Sequence, residues 1–143
     1  MLKPSDATKL ITELQTEWIE GLRSGDLSWL ERHLAEDFLF TAHPIPNLKL
    51  SKLEFIEMDK KIKNPQIHFV SIQAEAVADI IMSRSVADVK EEFNADLGHG
   101  MPPPKEIERM ISGQRLAYAS AWRFSAGIWQ CFDHHFVSVL KTE

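Results

Sequence analysis

Two long alternating runs stand near the end of the chain, GQRLAYASAWRF over residues 113–124 and IWQCFDHHFVSVL over residues 128–140. Both are rich in aromatic and β-branched residues, which suit strands lying half-buried on a sheet. Ser125-Ala126-Gly127 is all that separates them, so they are expected to pair as an antiparallel hairpin. With Ala126-Gly127 as the two-residue turn, Phe124 faces Trp129, Trp122 faces Cys131, Ser120 faces Asp133 and Tyr118 faces His135, all on one side. The other side then carries Ala117, Ala119, Ala121 and Arg123 against Phe136, His134, Phe132 and Gln130.

This hairpin sets Asp133, His134 and His135 inside apolar sequence. Desolvating an ionised carboxylate is costly unless it is paired. Either these groups pair and fix the strands in register, or they face a cavity that something enters.

The chain of 143 residues is long enough to bury one sizeable core and reads as a single domain over residues 1–143. Its apolar content of 44% and charged content of 26% fit a soluble globular protein. Sixteen Lys and Arg against twenty-one Asp and Glu leave a net charge of -5 with no basic block. A nucleic-acid groove needs clustered positive charge, so that partner is not expected. The one cysteine, Cys131, has no partner for an internal disulfide, which fits a reducing cytoplasm. No CxxC spacing, glycine-rich phosphate loop, nucleophile elbow or HExxH is present, and neither metal nor cofactor is expected. The start, MLKPSDATKLITELQTEWIEGL, mixes charge with apolar residues and reads as neither signal peptide nor membrane span.

Ser5 is a plausible N-cap, and Ile11, Leu14, Trp18 and Leu22 then recur at helical spacing. Gly25 sits where that helix would stop, and Asp26 can cap a short second helix presenting Leu27, Leu30 and Leu34. EDFLFTAHP reads as a strand, and SKLE is a capping box opening a third helix that Asn64-Pro65 ends. IHFVSI alternates as a strand does. EAVADIIMSRSVADVKEEF fits helix as well as strand, with Met82, Val86, Val89 and Phe93 at spacings of four, three and four. NADLGHGMPPPKEIERM, with two glycines and three consecutive prolines, reads as a long mobile loop.

The run SGDLSWLERHLAEDFLF, with Gly25-Asp26, Leu30, Leu34, Ala35 and Asp37-Phe38, resembles the opening of SnoaL-like proteins of the nuclear transport factor 2-like superfamily. SKLEFI and WQCFDHHFVSVL resemble the same family at its middle and end, so the resemblance spans nearly the whole chain. It implies an α+β cone of the cystatin-like kind, a curved antiparallel sheet wrapped around three helices with a pocket at the open end. It also tips residues 76–93 toward strand. Members include isomerases, dehydratases, polyketide cyclases and non-catalytic binding or dimerisation modules, and the fold does not choose among them.

The resemblance implies that the face with Trp129, Cys131, Asp133, His135 and Val137 is the concave one. Asp133, His135 and Tyr118 are then the candidate catalytic residues, with Asp133 orienting His135 and Tyr118 donating to developing negative charge. Ser120, Trp122, Trp129 and His43, at the expected pocket mouth, are the candidate ligand contacts. A buried network that only fixes strand register competes with this reading. His134 is expected to point away, to a surface or interface, and Glu91-Glu92 to form a solvated strand end. The expectation is a cytoplasmic homodimer, paired through the sheet, that holds a small, largely apolar molecule. It is either a cofactor-free isomerase, dehydratase or cyclase, or a binding or dimerisation module without chemistry.

Overall fold

The computed structural model describes residues 2–140. The elements in chain order are α1 (Pro4–Ser24), α2 (Ser28–His33), β1 (Leu34–Ala42), β2 (Lys49–Ser51), α3 (Lys52–Asp59), β3 (Ile62–Val77), β4 (Ile80–Phe93), α4 (Pro104–Ile111), β5 (Gln114–Ser125) and β6 (Ile128–Leu140). The six strands form one sheet in the order β2-β1-β6-β5-β4-β3. Every neighbouring pair is antiparallel except β1 with β6, which run parallel. The ambiguous stretch is the end of β3, a turn and β4, and β4 pairs with β3 along its length and with β5 over residues 80–89.

The helices follow from local chemistry. Pro4 opens α1 at the first helical position, where its missing N–H is no loss, and Lys3 rather than Ser5 is the N-cap. Gly25 ends α1 at φ 78°, a conformation glycine takes without a Cβ penalty, and its N–H reaches Leu22 O. Leu14, Trp18 and Ile11 of α1 are buried against the sheet. Thr8 Oγ1 ties the helix to β3, accepting from Ala74 N–H at 3.0 Å. Ser51 and Glu54 form the capping box expected for α3. That helix stops at Asp59, before Asn64-Pro65, which lies inside β3.

The curvature comes from bulges, each an extra residue on one strand that bends it and increases its twist. In β3, Lys63 pairs with Glu92 and Gln66 with Lys90, so Asn64 and Pro65 together oppose Glu91. Proline has no N–H for a ladder and is tolerated at such an irregularity. In β6, Trp122 faces Cys131 as expected, but Ala121 faces Asp133, leaving Phe132 unpaired. A second shift follows at Val137, between the pairs Tyr118–Phe136 and Ala117–Ser138.

Residues 94–110 are not one long loop. Their second half enters α4, a fourth helix beyond the three expected, and its Ile107 and Ile111 are buried. Cys131 and Trp122 are fully buried at the sheet centre, and the Trp122 indole donates to Ser83 Oγ at 3.1 Å. No helix among the described residues is long and apolar enough to cross a membrane.

Gly21 marks a close approach between α1 and the chain that follows it. A Cβ there would lie 2.9 Å from the carbonyl oxygen of Asp26, a backbone atom that cannot swing aside. Alanine favours a helix interior over glycine by about 1 kcal/mol. Gly21→Ala is nevertheless expected to lower stability, by about 1–3 kcal/mol, in chemical denaturation. A gain in stability would mean that α1 and the α2 entry do not sit this tightly.

Candidate functional site

The bulge at Phe132 decides which side chains enter the fold. Up to Trp122 and Cys131 the hairpin has the expected register. Beyond it, Ser120 pairs with His134 and Tyr118 with Phe136, in place of Asp133 and His135. His134 and Phe136 are therefore buried, whereas Asp133 is exposed and His135 is half-buried toward the outer face. His135 Nδ1 lies 2.6 Å from Thr41 Oγ1, so its partner comes from β1 and not from Asp133. The expected group of Asp133, His135, Tyr118 and Ser120 is thus divided between the two faces of the sheet.

On the inner face lies a cavity of about 130 Å³. An engineered apolar cavity of about 150 Å³ holds benzene, so this is room for a small ligand. Its walls are mostly apolar, with Trp18 from α1, Phe40 from β1, Phe55 from α3 and Phe136 from β6. Leu97, Ile107 and Ile111 of the segment after β4 also line it. Of the candidate catalytic and ligand-contact residues, Tyr118 alone lines the cavity. Ser120 is buried behind His134, Trp122 is sealed in the core, Trp129 packs edge-on against Phe124, and His43 is exposed.

The polar groups in the cavity are Gln15, Asp59, Ser85, Glu91, Tyr118 and His134. His134 is held on several sides. Its ring stacks on Tyr118 with centroids 5.2 Å apart and planes 6° apart, and lies 5.0 Å from the Trp18 ring. Its Nδ1 is 2.7 Å from Ser120 Oγ. Burial, with a smaller push from His135, lowers its pKa to about 3, so the imidazole is neutral near pH 7. In the tautomer in which the Ser120 hydroxyl donates to Nδ1, Nε2 carries the ring hydrogen.

Two carboxyl groups share this cavity. Glu91 alternates inward on β4 with Val89 and Phe93, and burial raises its pKa to about 7, helped by Glu108. Its backbone N–H donates to Ser112 Oγ at 3.0 Å, which fixes the strand at this point. Asp59, the last residue of α3, follows Phe55 by one helical turn on the buried face. Burial first and Glu91 second push its carboxyl well above the usual carboxylate range, and its Oδ2 is buried without a hydrogen-bond partner. Burial, then Glu91 and Asp59, hold the Tyr118 phenol protonated. The site therefore sets a carboxyl that titrates near neutrality beside a neutral O–H donor. Among the described residues, no group of three or more His, Cys, Asp and Glu is placed to hold a metal ion.

No protein-family model and no curated protein matches the sequence. Solved structures do match in fold. A nuclear transport factor 2-like protein from Cytophaga hutchinsonii superposes with a TM-score of 0.71 at 15% identity, over 91% of this chain and 96% of that one. A candidate calcium/calmodulin-dependent kinase II association domain from Exiguobacterium sibiricum gives 0.68 at 14% identity, over 100% of both chains. A candidate scytalone dehydratase from Novosphingobium aromaticivorans gives 0.68 at 12% identity, over 92% of this chain and 82% of that one. The chain has the nuclear transport factor 2-like, cystatin-like α+β fold. The same fold serves proteins described in such different terms that it leaves the activity open.

Glu91 ties the site to stability. Its folded pKa of about 7 lies above the ordinary value of 4.5, so the fold prefers the protonated form. Below pH 4.5 the acid is protonated folded or unfolded and exacts no penalty. As pH rises from 4.5 through 7, the unfolded chain ionises first, and stability falls by an amount on the order of 3 kcal/mol. Glu91→Gln is expected to melt at nearly the wild-type temperature at pH 4.5 and several degrees higher at pH 8. An equal difference at both pH values would show that Glu91 is solvated. In an NMR titration, the His134 ring signals are expected to stay constant from pH 8 to pH 5, and a midpoint near 6.5 would place that ring in water.

Proposed function

We propose that this chain is a small-molecule pocket protein in which the Glu91 carboxyl moves a proton on a largely apolar ligand. The class of reaction is isomerisation, dehydration or cyclisation without a cofactor. The observation that carries the reading is Glu91 itself, buried in an apolar cavity and poised near pH 7. A general acid or base works best when its pKa lies near the working pH. Likeness in fold to a candidate dehydratase supports the same class of chemistry.

The residues divide the work in a simple way. In its ionised form Glu91 takes a proton from a carbon next to a ligand carbonyl. The C–H electron pair moves into the carbonyl, and the oxygen becomes an enolate. Tyr118, kept protonated by its surroundings, donates its O–H to that oxygen. Glu91 then returns the proton to a different carbon, which is an isomerisation, or to a departing hydroxyl, which is a dehydration. His134 holds Tyr118 by its stack and adds a neutral donor. Asp133 and His135, on the outer face, take no part in these steps.

The outer face of the sheet supports a second element of this reading, a homodimer. Ala117 and Ala119 form a partly exposed strip there, beside the partly exposed Phe132 and the exposed Met82, whereas Ala121 is already buried. Phe136, expected on this strip from sequence, is in the cavity instead. A two-fold partner presenting the same strip would cover it.

A β,γ-unsaturated cyclohexenone is a fitting probe, because its isomerisation to the conjugated enone is followed by absorbance. Wild type is expected to accelerate it, with activity rising through pH 7 as Glu91 ionises. Glu91→Gln is expected to lose 100-fold or more, in the usual range for a general base, and Tyr118→Phe less. Equal rates for wild type and Glu91→Gln, across a panel of such enones, would leave the pocket as a binding site without chemistry. For the dimer, light scattering at micromolar concentration is expected to give twice the chain mass, and Ala119→Glu to give the monomer. A monomeric wild type would remove the dimer and leave the pocket reading intact.

A further inference from the structure

Two buried side-chain oxygens, in residues that line the cavity, lack a hydrogen-bond partner. Gln15 of α1 and Asp59 of α3 are 4% and 6% exposed. Both line the cavity, and Gln15 Oε1 and Asp59 Oδ2 are the buried side-chain oxygens and nitrogens without a partner among the described residues. Leaving such an atom unpaired costs about 1–3 kcal/mol, so two within one cavity call for an occupant that supplies hydrogens.

The charges around the cavity identify the occupant further. The titratable groups lining the cavity are Asp59 of α3, Glu91 of β4, Tyr118 of β5 and His134 of β6. Glu108 of α4 adds its field from behind Glu91, and β3 contributes only apolar side chains to the lining. No Lys or Arg is among the lining residues. Lys60 and Lys61, next along the chain, are exposed, and Lys60 is paired with Glu57. A neutral donor would satisfy the two oxygens, but a cation also gains from every acid around them, in a setting where water screens little.

We propose that the natural ligand carries a protonated amine, anchored by Asp59 and Gln15, on a small apolar body held between Trp18, Phe55 and the neighbouring aromatic walls. This rests on reading the cavity as a small-molecule site, and it assigns the anchor while Glu91 keeps the chemistry. Asp59, whose carboxyl is held protonated by burial, ionises as the ammonium arrives, so binding releases protons. The aromatic faces add a favourable interaction with the same cation.

The test uses three probes of one shape, benzylamine, benzyl alcohol and benzoate, in calorimetry at pH 6.5 with two buffers of different ionisation enthalpy. Benzylamine is expected to bind at least tenfold more tightly than benzyl alcohol, with benzoate weakest, and to release protons to the buffer. Asp59→Asn, which removes the charge and keeps the shape, is expected to lose tenfold or more for benzylamine and to keep its affinity for benzyl alcohol. That retained affinity shows that the cavity is intact. Benzyl alcohol binding as tightly as benzylamine, with Asp59→Asn without effect, overturns the amine anchor and leaves the pocket and its Glu91 chemistry standing. Binding of none of the three overturns the anchor together with the reading of the cavity as a small-molecule site.

Discussion

The rest of the inner face depends on one extra residue in β6. Because Phe132 has no partner on β5, every side chain from Asp133 to Phe136 lies on the side opposite to that given by simple alternation. The ring that reaches Tyr118 and Trp18 is thus His134, and the acid Asp133 is left in water. The shift at Val137 restores the original phase, so Val139 packs inward opposite Leu116. Between the two bulges a four-residue window is inverted, and that window supplies His134 and Phe136 to the cavity. A bulge in β3 does a related service opposite Glu91, where Asn64 and Pro65 bend the edge strand around the other end of the site.

The cavity then sets apolar packing against charge. Trp18, Phe55 and their aromatic neighbours belong to the main core, so the same side chains that stabilise the fold also form the walls of the site. Their low polarity keeps Asp59 and Tyr118 protonated and His134 neutral, and raises the pKa of Glu91 to about 7. A protonated carboxyl is the state that water would not favour near neutral pH, whereas the phenol and the imidazole are mostly neutral there in any case. Elsewhere among the described residues, carboxylates stand at the surface and pair with cations there. Asp88, for instance, accepts two hydrogen bonds from Arg115 at 2.8 and 3.1 Å on the sheet surface. Surface pairs of this kind contribute little to stability, so the apolar core carries most of it.

Much of the architecture was legible in the sequence because it is written in short-range chemistry. The Ala126-Gly127 turn, the Ser51–Glu54 capping box and the Gly25 stop are local devices, and each stands where the sequence puts it. The site was less legible because its members are distant in sequence and its phase is set by bulges. Nothing in FDHHF announces an unpaired Phe132; alternation alone sends His134 outward. Glu91 was within reach. Once residues 80–93 are taken as a strand, Ala87, Val89, Glu91 and Phe93 fall on one face, and a glutamate in that apolar row is a signal. Read instead with Glu92 as a charged pair, it resembles a solvated strand end. Asp59 carries a fainter mark, its spacing of four from Phe55. The helix α4 was hidden by the prolines before it, although Pro104 sits at the start of a helix, where proline is favoured.

Cys131 gives the chain a built-in clock. Its thiol is fully buried opposite Trp122, burial raises its pKa, and its S–H donates to the Asp133 carbonyl at 3.3 Å. A thiolate is the reactive species in alkylation and disulfide exchange, so in the closed molecule this sulfur is inert on two counts. A thiol reagent can reach it only when the centre of the sheet comes apart, between β6 and its neighbours β1 and β5. As the chain has one cysteine, the rate of labelling reads out a single event. Its dependence on reagent concentration separates how often that centre opens from how long it stays open.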